Sequence, residues 1–260
     1  MLRGIYAVVV LDLKRFWLEK ARLGAGLVQP LLYLFVLGAG IGASSLQGGA
    51  GYQQFIFPGV MGLSLLMAAT FAAISIVFDR QIGFFKAVLV SPVPRSAIAF
   101  GKIASGAIQA AMQGLILLPF APLAGVHLSA LATLEVIGAM LLAATTFSAV
   151  GVAVASRFTS TTVFPIVSNA VLLPMFFLSG GLYPLANAPH WMQVAAHGDP
   201  VAYAVDLMRG ALLGKFFFDP AIGVPVLLVM IVALAWSSVR VFNRGEDDSA
   251  LGASKFAWRR

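Results

Sequence analysis

LGAGLVQPLLYLFVLGAGIGASSLQGGAGYQQFIFPGVMGLSLLMAATFAAISIVF, residues 23–78, runs without one Asp, Glu, Lys or Arg. Four further uncharged stretches follow it: Ile103–Leu134, Val136–Ser156, Phe158–Gly198 and Pro220–Val239. A bilayer's hydrocarbon core is about 30 Å thick, and a helix rising about 1.5 Å per residue crosses it in roughly 20 residues. The first stretch and Phe158–Gly198 are each long enough for two crossings, or for one crossing and a surface segment; the other three fit one apiece. The chain therefore reads as an integral membrane protein, all-α and polytopic.

Composition agrees. Hydrophobic residues make up 60% of the 260 and charged ones 10%, with a mean hydropathy of +0.94, far from the range of soluble domains. No polar block is large enough to fold separately, so residues 1–260 read as one transmembrane domain. The net charge of +7 would suggest nucleic acid in a soluble protein. Here basic residues that hold cytoplasmic loops inside explain it better, and no nucleic acid is expected as a partner. There is no cysteine, which excludes disulfides and thiolate metal sites. The apolar run Ile5–Leu11 stops at Asp12 and is followed by basic residues, unlike a cleavable signal.

The pattern predicts six spans at Leu27–Ala43, Phe55–Phe78, Ile103–Val126, Leu134–Ala155, Val163–Tyr183 and Ile222–Val241. Gly48-Gly49-Ala50-Gly51 marks the first break. With both termini cytoplasmic, fifteen of the 17 Lys and Arg lie inside and only Arg209 and Lys215 outside, which favours an even number of crossings. Residues 1–22 predict a helix that does not cross. At about 100° per residue, Ile5, Tyr6, Val9, Val10, Leu13, Phe16 and Trp17 share a sector from which every charge but Lys20 is absent. That fits a helix lying in the interface, with a solvated basic tail as the alternative. Between spans five and six, residues 184–221 form an extracytoplasmic segment. His190–Val194 and Tyr203–Met208 are amphipathic there, predicting two short helices dipping into the outer leaflet rather than a structureless loop.

Catalytic and metal chemistry find little footing. His127, His190 and His197 lack carboxylates at ligand spacing, so no metal is expected. Gly101-Lys102 and Gly214-Lys215 lack the glycine spacing and the following Ser or Thr of a phosphate-cradling loop. Leu178-Ser179-Gly180-Gly181 spells part of an ATPase signature but falls at the outer end of a span. No nucleotide site or catalytic residue is expected in this chain, and any ATP must be bound by another. Glu135 is the one acid assigned close to a span, at its outer end. Gln109 and Gln113 share a face of span three, where helix pairing or cargo contact would satisfy their amides. Gly38 and Gly42 form a small-residue pair suited to close helix packing.

Two regions invite functional readings. The cytoplasmic loop, residues 79–102, carries Phe84, Phe85, Val88 and Leu89 as one apolar face, which either rests on lipid or docks a partner. In span five, Pro165 and Pro174 predict bends. Ser168 and Asn169 offer hydrogen bonds, and Phe176 and Phe177 stand at the outer end. These four are candidates either to line a cargo route or to pack a permease interface.

Phe78–Arg95, read as acid-Arg-x-x-Gly-aromatic and then Leu-Val-Ser-Pro-Val-x-Arg, resembles the cytoplasmic signature of ABC transporter type-2 permeases. The nearest in pattern are the drug-resistance and lipo-oligosaccharide nodulation exporters. Phe177-Leu178-Ser179-Gly180-Gly181-Leu182-Tyr183-Pro184-Leu185, then Asp199–Arg209, and Gln29-Pro30-Leu31-Leu32-Tyr33, fit the same family in the same order. Many members carry an acid at Gln81 and Asn at Asp199. The resemblance implies a permease subunit in a bacterial plasma membrane, exporting an amphipathic or lipid-like cargo such as a drug, glycolipid or polysaccharide. It implies two separate ABC ATPase subunits carrying ATP and Mg, a second or related permease copy, and surrounding membrane lipids. The family's coupling helix falls on Asp79–Arg95. Phe84, Phe85 and Leu89 then form the docking face, Gly83 permits a close turn, Pro92 lies in the signature, and Asp79, Arg80 and Arg95 supply charge. Its re-entrant outer helices fall on Pro184–Lys215. A secondary transporter or channel is the rival reading, but it would need intramembrane acids or ion-coordinating broken helices. A membrane anchor for an enzyme complex is the other.

Overall fold

A computed structural model of the protein describes residues 1–38, 40, 49–82 and 94–244. Nine α-helices are formed by those residues: α1 Leu2–Leu18, α2 Lys20–Leu32, α3 Gly49–Gln81, α4 Arg95–Leu117, α5 Ala130–Ala155, α6 Val163–Leu178, α7 His190–His197, α8 Pro200–Leu213 and α9 Pro220–Arg244. No strand occurs among them. Four helical stretches are long and apolar enough to cross a bilayer: Gly51–Gln81, Ser96–Phe120, Ala130–Ala155 and Pro220–Phe242. The expected first and fifth spans coincide with shorter apolar helices, Gly26–Leu37 and Val163–Leu178.

Local chemistry sets the helix ends. α1 stops at Glu19, where the backbone leaves helical geometry, and α2 restarts at once. Pro30 removes a backbone donor inside α2, and the chain continues as a π-helical turn over Tyr33–Leu37. Pro119 and Pro122 turn the end of α4 into two 3₁₀ turns, closed by Gly125 at φ +79°. α5 begins under a serine cap, Ser129 Oγ accepting from the Ala132 amide at 3.1 Å. The expected fifth span runs to Tyr183, yet α6 ends at Leu178. Gly180, at φ +70°, turns the chain there, and Gly181 lays its backbone on α3. A Cβ on Gly59 would run into the Gly181 carbonyl oxygen, so only glycine permits this approach.

α3 is the central element. Its apolar window is 78% buried, against 22% for α9, which sits at the periphery. Phe57, Leu63, Leu65 and Leu66 of α3 pack with Phe147 of α5, Phe176 of α6 and Val205 and Met208 of α8 in one apolar cluster. A second cluster joins Ile76 and Val77 of α3 to Ile98 and Ile103 of α4, Val152 of α5 and Phe164 of α6. The segment 184–221 holds two short helices, α7 and α8, and every residue from Pro200 to Gly210 is buried. The stretch 79–102 is helical at both ends, through Gln81 and again from Arg95.

Candidate functional site: an ion-paired hub beside residues 83–93

α1 crosses α4 closely because α4 carries glycine there: a Cβ on Gly101 would stand 2.8 Å from Val8 Cβ. The contact is made by Ile5, Val8 and Asp12, with Phe16 on the same face at helical spacing, and Asp12 and Phe16 are the buried residues of α1. The apolar sector read from sequence lies partly elsewhere, with Tyr6 and Trp17 exposed. Burying Asp12 at 4% exposure demands a partner, since an unpaired charge in an apolar setting is prohibitively costly.

Lys102 of α4 is that partner. Its ammonium, 5% exposed, donates to Asp12 Oδ1 at 3.0 Å, to Asp79 Oδ2 at 2.8 Å and to Ser75 Oγ at 3.0 Å. A lysine has three donors, and all three are used. Ser105 Oγ donates to Asp12 Oδ2 at 2.8 Å, and Arg15 Nη1 donates to Asp79 Oδ1 at 3.0 Å. Every oxygen of the two carboxylates thus accepts a hydrogen bond. The hub ties α1 to the last turns of α3 and the second turn of α4, the two helices that bracket residues 83–93.

Beside the hub opens a groove of about 410 Å³. Phe16, Phe71, Ile74, Phe78 and Ile82 form its apolar wall, and Asp12, Arg15 and Asp79 its polar end. The next residues of α3 face the other way. Arg80 Nη1 donates to the Phe158 carbonyl at 3.4 Å and its guanidinium lies 5.5 Å from the Phe242 ring centroid. Gln81 Oε1 accepts from Thr161 Oγ1 at 3.1 Å. One turn of α3 therefore binds α1 and α4 through Asp79 and the α5–α6 connection through Arg80 and Gln81.

Of the sequence candidates, Asp79 and Arg80 belong to this region. Arg95 starts α4, its side chain outside the described residues, as are Gly83, Phe84, Phe85, Leu89 and Pro92. Gly42 is outside them too, while Gly38 packs against Gln53 of α3. The span-five candidates divide between two faces. Ser168 and Phe176 are buried toward the core, Asn169 and Phe177 exposed on the opposite side, so the four do not line one surface. Asp12, Ser75, Lys102 and Ser105 escape the sequence reading. The available signal is Asp12 itself, a lone acid on the Ile5–Val8–Phe16 face.

A second set of buried charges lies far from the hub. Phe55 and Asp79 are separated by roughly 36 Å along α3 at about 1.5 Å per residue. Near Phe55, Arg209 of α8 donates to the Gly180 carbonyl at 2.7 Å, and its guanidinium sits 4.3 Å over the Phe55 ring. Asp206 accepts from the Phe217 amide at 2.9 and 3.1 Å and from the Phe218 amide at 2.9 Å. Asp199 caps α8, accepting from Val201 N at 2.9 Å, while its other oxygen has no partner among the described residues. Burial pushes the Asp199 carboxyl up to about 7, against the opposing effect of the Val201 amide. Burial also lowers the Arg209 guanidinium to about 10, with Asp206 opposing.

The fold and the hub together define a multi-pass helical membrane protein with its buried charges concentrated at the ends of the bundle. The chain belongs to the ABC-2 type transporter family, whose profile matches residues 3–213. It is 31% identical over 221 residues to nodulation protein J of Rhizobium leguminosarum bv. trifolii, covering 84% of each chain. It is 28% identical over 233 residues to nodulation protein J of Neorhizobium galegae, covering 86% of each. A putative transport permease, ycf38 of Cyanophora paradoxa, is 25% identical over 246 residues, covering 85% of this chain and 83% of its own. The chain is a membrane transporter permease.

Proposed function

We propose that this chain is the transmembrane subunit of an ATP-driven exporter, coupled to a separate ABC ATPase through residues 79–95. The observation that carries this reading is the position of the hub in a chain of this family. Lys102 joins both helices bracketing the signature to α1, so force applied to residues 83–93 passes directly into three helices. In this reading two ATPase subunits bind ATP and Mg, and two permease copies, identical or related, form the path. Gly26–Leu37 and Val163–Leu178 supply the first and fifth of six crossings, both termini are cytoplasmic, and α7 and α8 re-enter the outer leaflet. The fifteen-to-two distribution of Lys and Arg supports this orientation.

The cargo is amphipathic or lipid-like. Among the described residues the spans offer no ring of charged side chains to select a bare ion, and the groove beside the hub pairs an apolar wall with a polar end. Co-purification tests the coupling: Phe85→Ala with Leu89→Ala is expected to lose the ATPase while the permease still inserts. Retention of the complex and of transport would place that face on lipid instead.

A further inference from the structure

α9 is the least buried of the four long helices, and one of its faces is an unbroken strip: Val229, Val232, Trp236 and Arg240, at spacings of three and four. The three apolar members are 66%, 69% and 57% exposed. From Val229 to Arg240 the strip rises roughly 16 Å, about the depth of one leaflet's hydrocarbon. At its end the Arg240 guanidinium lies 3.5 Å from the centroid of the Trp236 ring. Alongside, Arg157 from the α5–α6 connection donates to Ser237 Oγ at 3.3 Å, which sets a second exposed guanidinium within a turn of the first. Arg80 reaches the same end of α9 through Phe242.

None of the ion pairs among the described residues involves Arg157 or Arg240; Asp79, the acid next to Arg80, is turned onto Lys102 and Arg15. Two guanidiniums therefore converge at the rim of an apolar strip one leaflet long. Guanidinium is matched by phosphate, and a tryptophan with one apolar and one wet edge belongs at headgroup depth. Holding a loop on one side of the membrane would require neither the convergence nor the stacking.

We infer that Arg157, Arg240 and Trp236 form a site for a phospholipid with an anionic headgroup, its phosphate on the two arginines and an acyl chain along Val232 and Val229. The occupant is a lipid rather than free phosphate because the strip supplies a leaflet's length of apolar contact, which phosphate alone leaves unfilled.

The test uses the full chain in nanodiscs of phosphatidylcholine, with phosphatidylglycerol titrated in, and native mass spectrometry to count retained lipids. The wild type is expected to retain phosphatidylglycerol preferentially. Arg157→Gln with Arg240→Gln should cut that preference roughly thirtyfold, at about fivefold per interfacial arginine. Arg157→Lys with Arg240→Lys should keep most of it. In phosphatidylcholine alone, the glutamine variant should unfold within a few degrees of the wild type, losing only the exposed contacts to Ser237 and Trp236. An unchanged preference in that variant overturns the proposal. So does a large loss of stability in phosphatidylcholine alone, which would assign the arginines to a protein partner such as Glu246-Asp247-Asp248. Equal displacement of phosphatidylglycerol by soluble glycerol phosphate would overturn it as well.

Discussion

Asp12, Asp79 and Lys102 at one end of the bundle, and Asp199, Asp206 and Arg209 at the other, are all at most 5% exposed, yet they are partnered in different ways. Only the second set leaves polar atoms, Asp199 Oδ2 and Arg209 Nε, without a partner among the described residues. At the hub, charge meets charge across three helices whose pairing residues lie 90 and 23 positions apart. Near Phe55, each charge meets backbone: a carbonyl for Arg209, amides for Asp206 and Asp199. Backbone partners come with the turn that presents them, so the second arrangement clamps neighbouring segments. Ion pairs between distant helices depend on the register of each helix, so the first arrangement senses movement of any one of them.

The largest effect should come from breaking the hub at its centre. Lys102→Met strands two buried carboxylates and is expected to cost about 3–5 kcal/mol, read as a fall in detergent-extracted folded protein and in its melting temperature. Arg209→Met should cost less, about 1–3 kcal/mol, because it leaves one carbonyl unsatisfied rather than two charges. A loss as great as that of Lys102→Met would erase the distinction between the two ends.

Asp199→Asn sharpens the comparison by pH. The folded-state value, about 7, lies above the unfolded one, so the folded chain binds more protons between roughly pH 4 and 7 and stability falls as pH rises through that window. Asparagine keeps the cap and removes the charge. It should stabilise by on the order of 1 kcal/mol or more above pH 7 and make no difference near pH 4, measured by thermal unfolding across pH. The smallest effect is expected at the rim of the hub. Arg15, 40% exposed, pairs with Asp79 partly in water, and Arg15→Gln should cost less than about 1 kcal/mol by the same unfolding measurement.

The helices were legible wherever composition alone decides. Long uncharged runs marked α3, α4, α5 and α9, and amphipathic spacing between Pro184 and Ala221 marked α7 and α8. The ends were less so: Tyr183 looks apolar enough to extend α6, but the turn at Gly180 depends on the contact of Gly181 with Gly59 across the fold. The hub was hidden for a related reason. Asp12, Asp79 and Lys102 each look like ordinary interfacial charges, and their meeting depends on α1 crossing α4 at Gly101. No local pattern encodes that crossing. In α6 the sequence groups Ser168, Asn169, Phe176 and Phe177 as one candidate lining, and the packing of the helix splits them, burying Ser168 and Phe176 and leaving Asn169 and Phe177 exposed.

Coupling of the ATPase to the helices through the hub, and stabilisation of the helices by the hub, part on one triple variant. In Asp12→Asn/Asp79→Asn/Lys102→Gln the buried site is neutral, so much of the stability lost in Lys102→Met should return. The rates of ATP hydrolysis and of transport of an amphipathic substrate by the reconstituted permease–ATPase complex are then measured with and without permease substitution. Coupling through the hub predicts a folded triple variant whose complex hydrolyses ATP without transport, the three helices no longer tied to one another by charge. A triple variant that both folds and transports at the wild-type rate would contradict it.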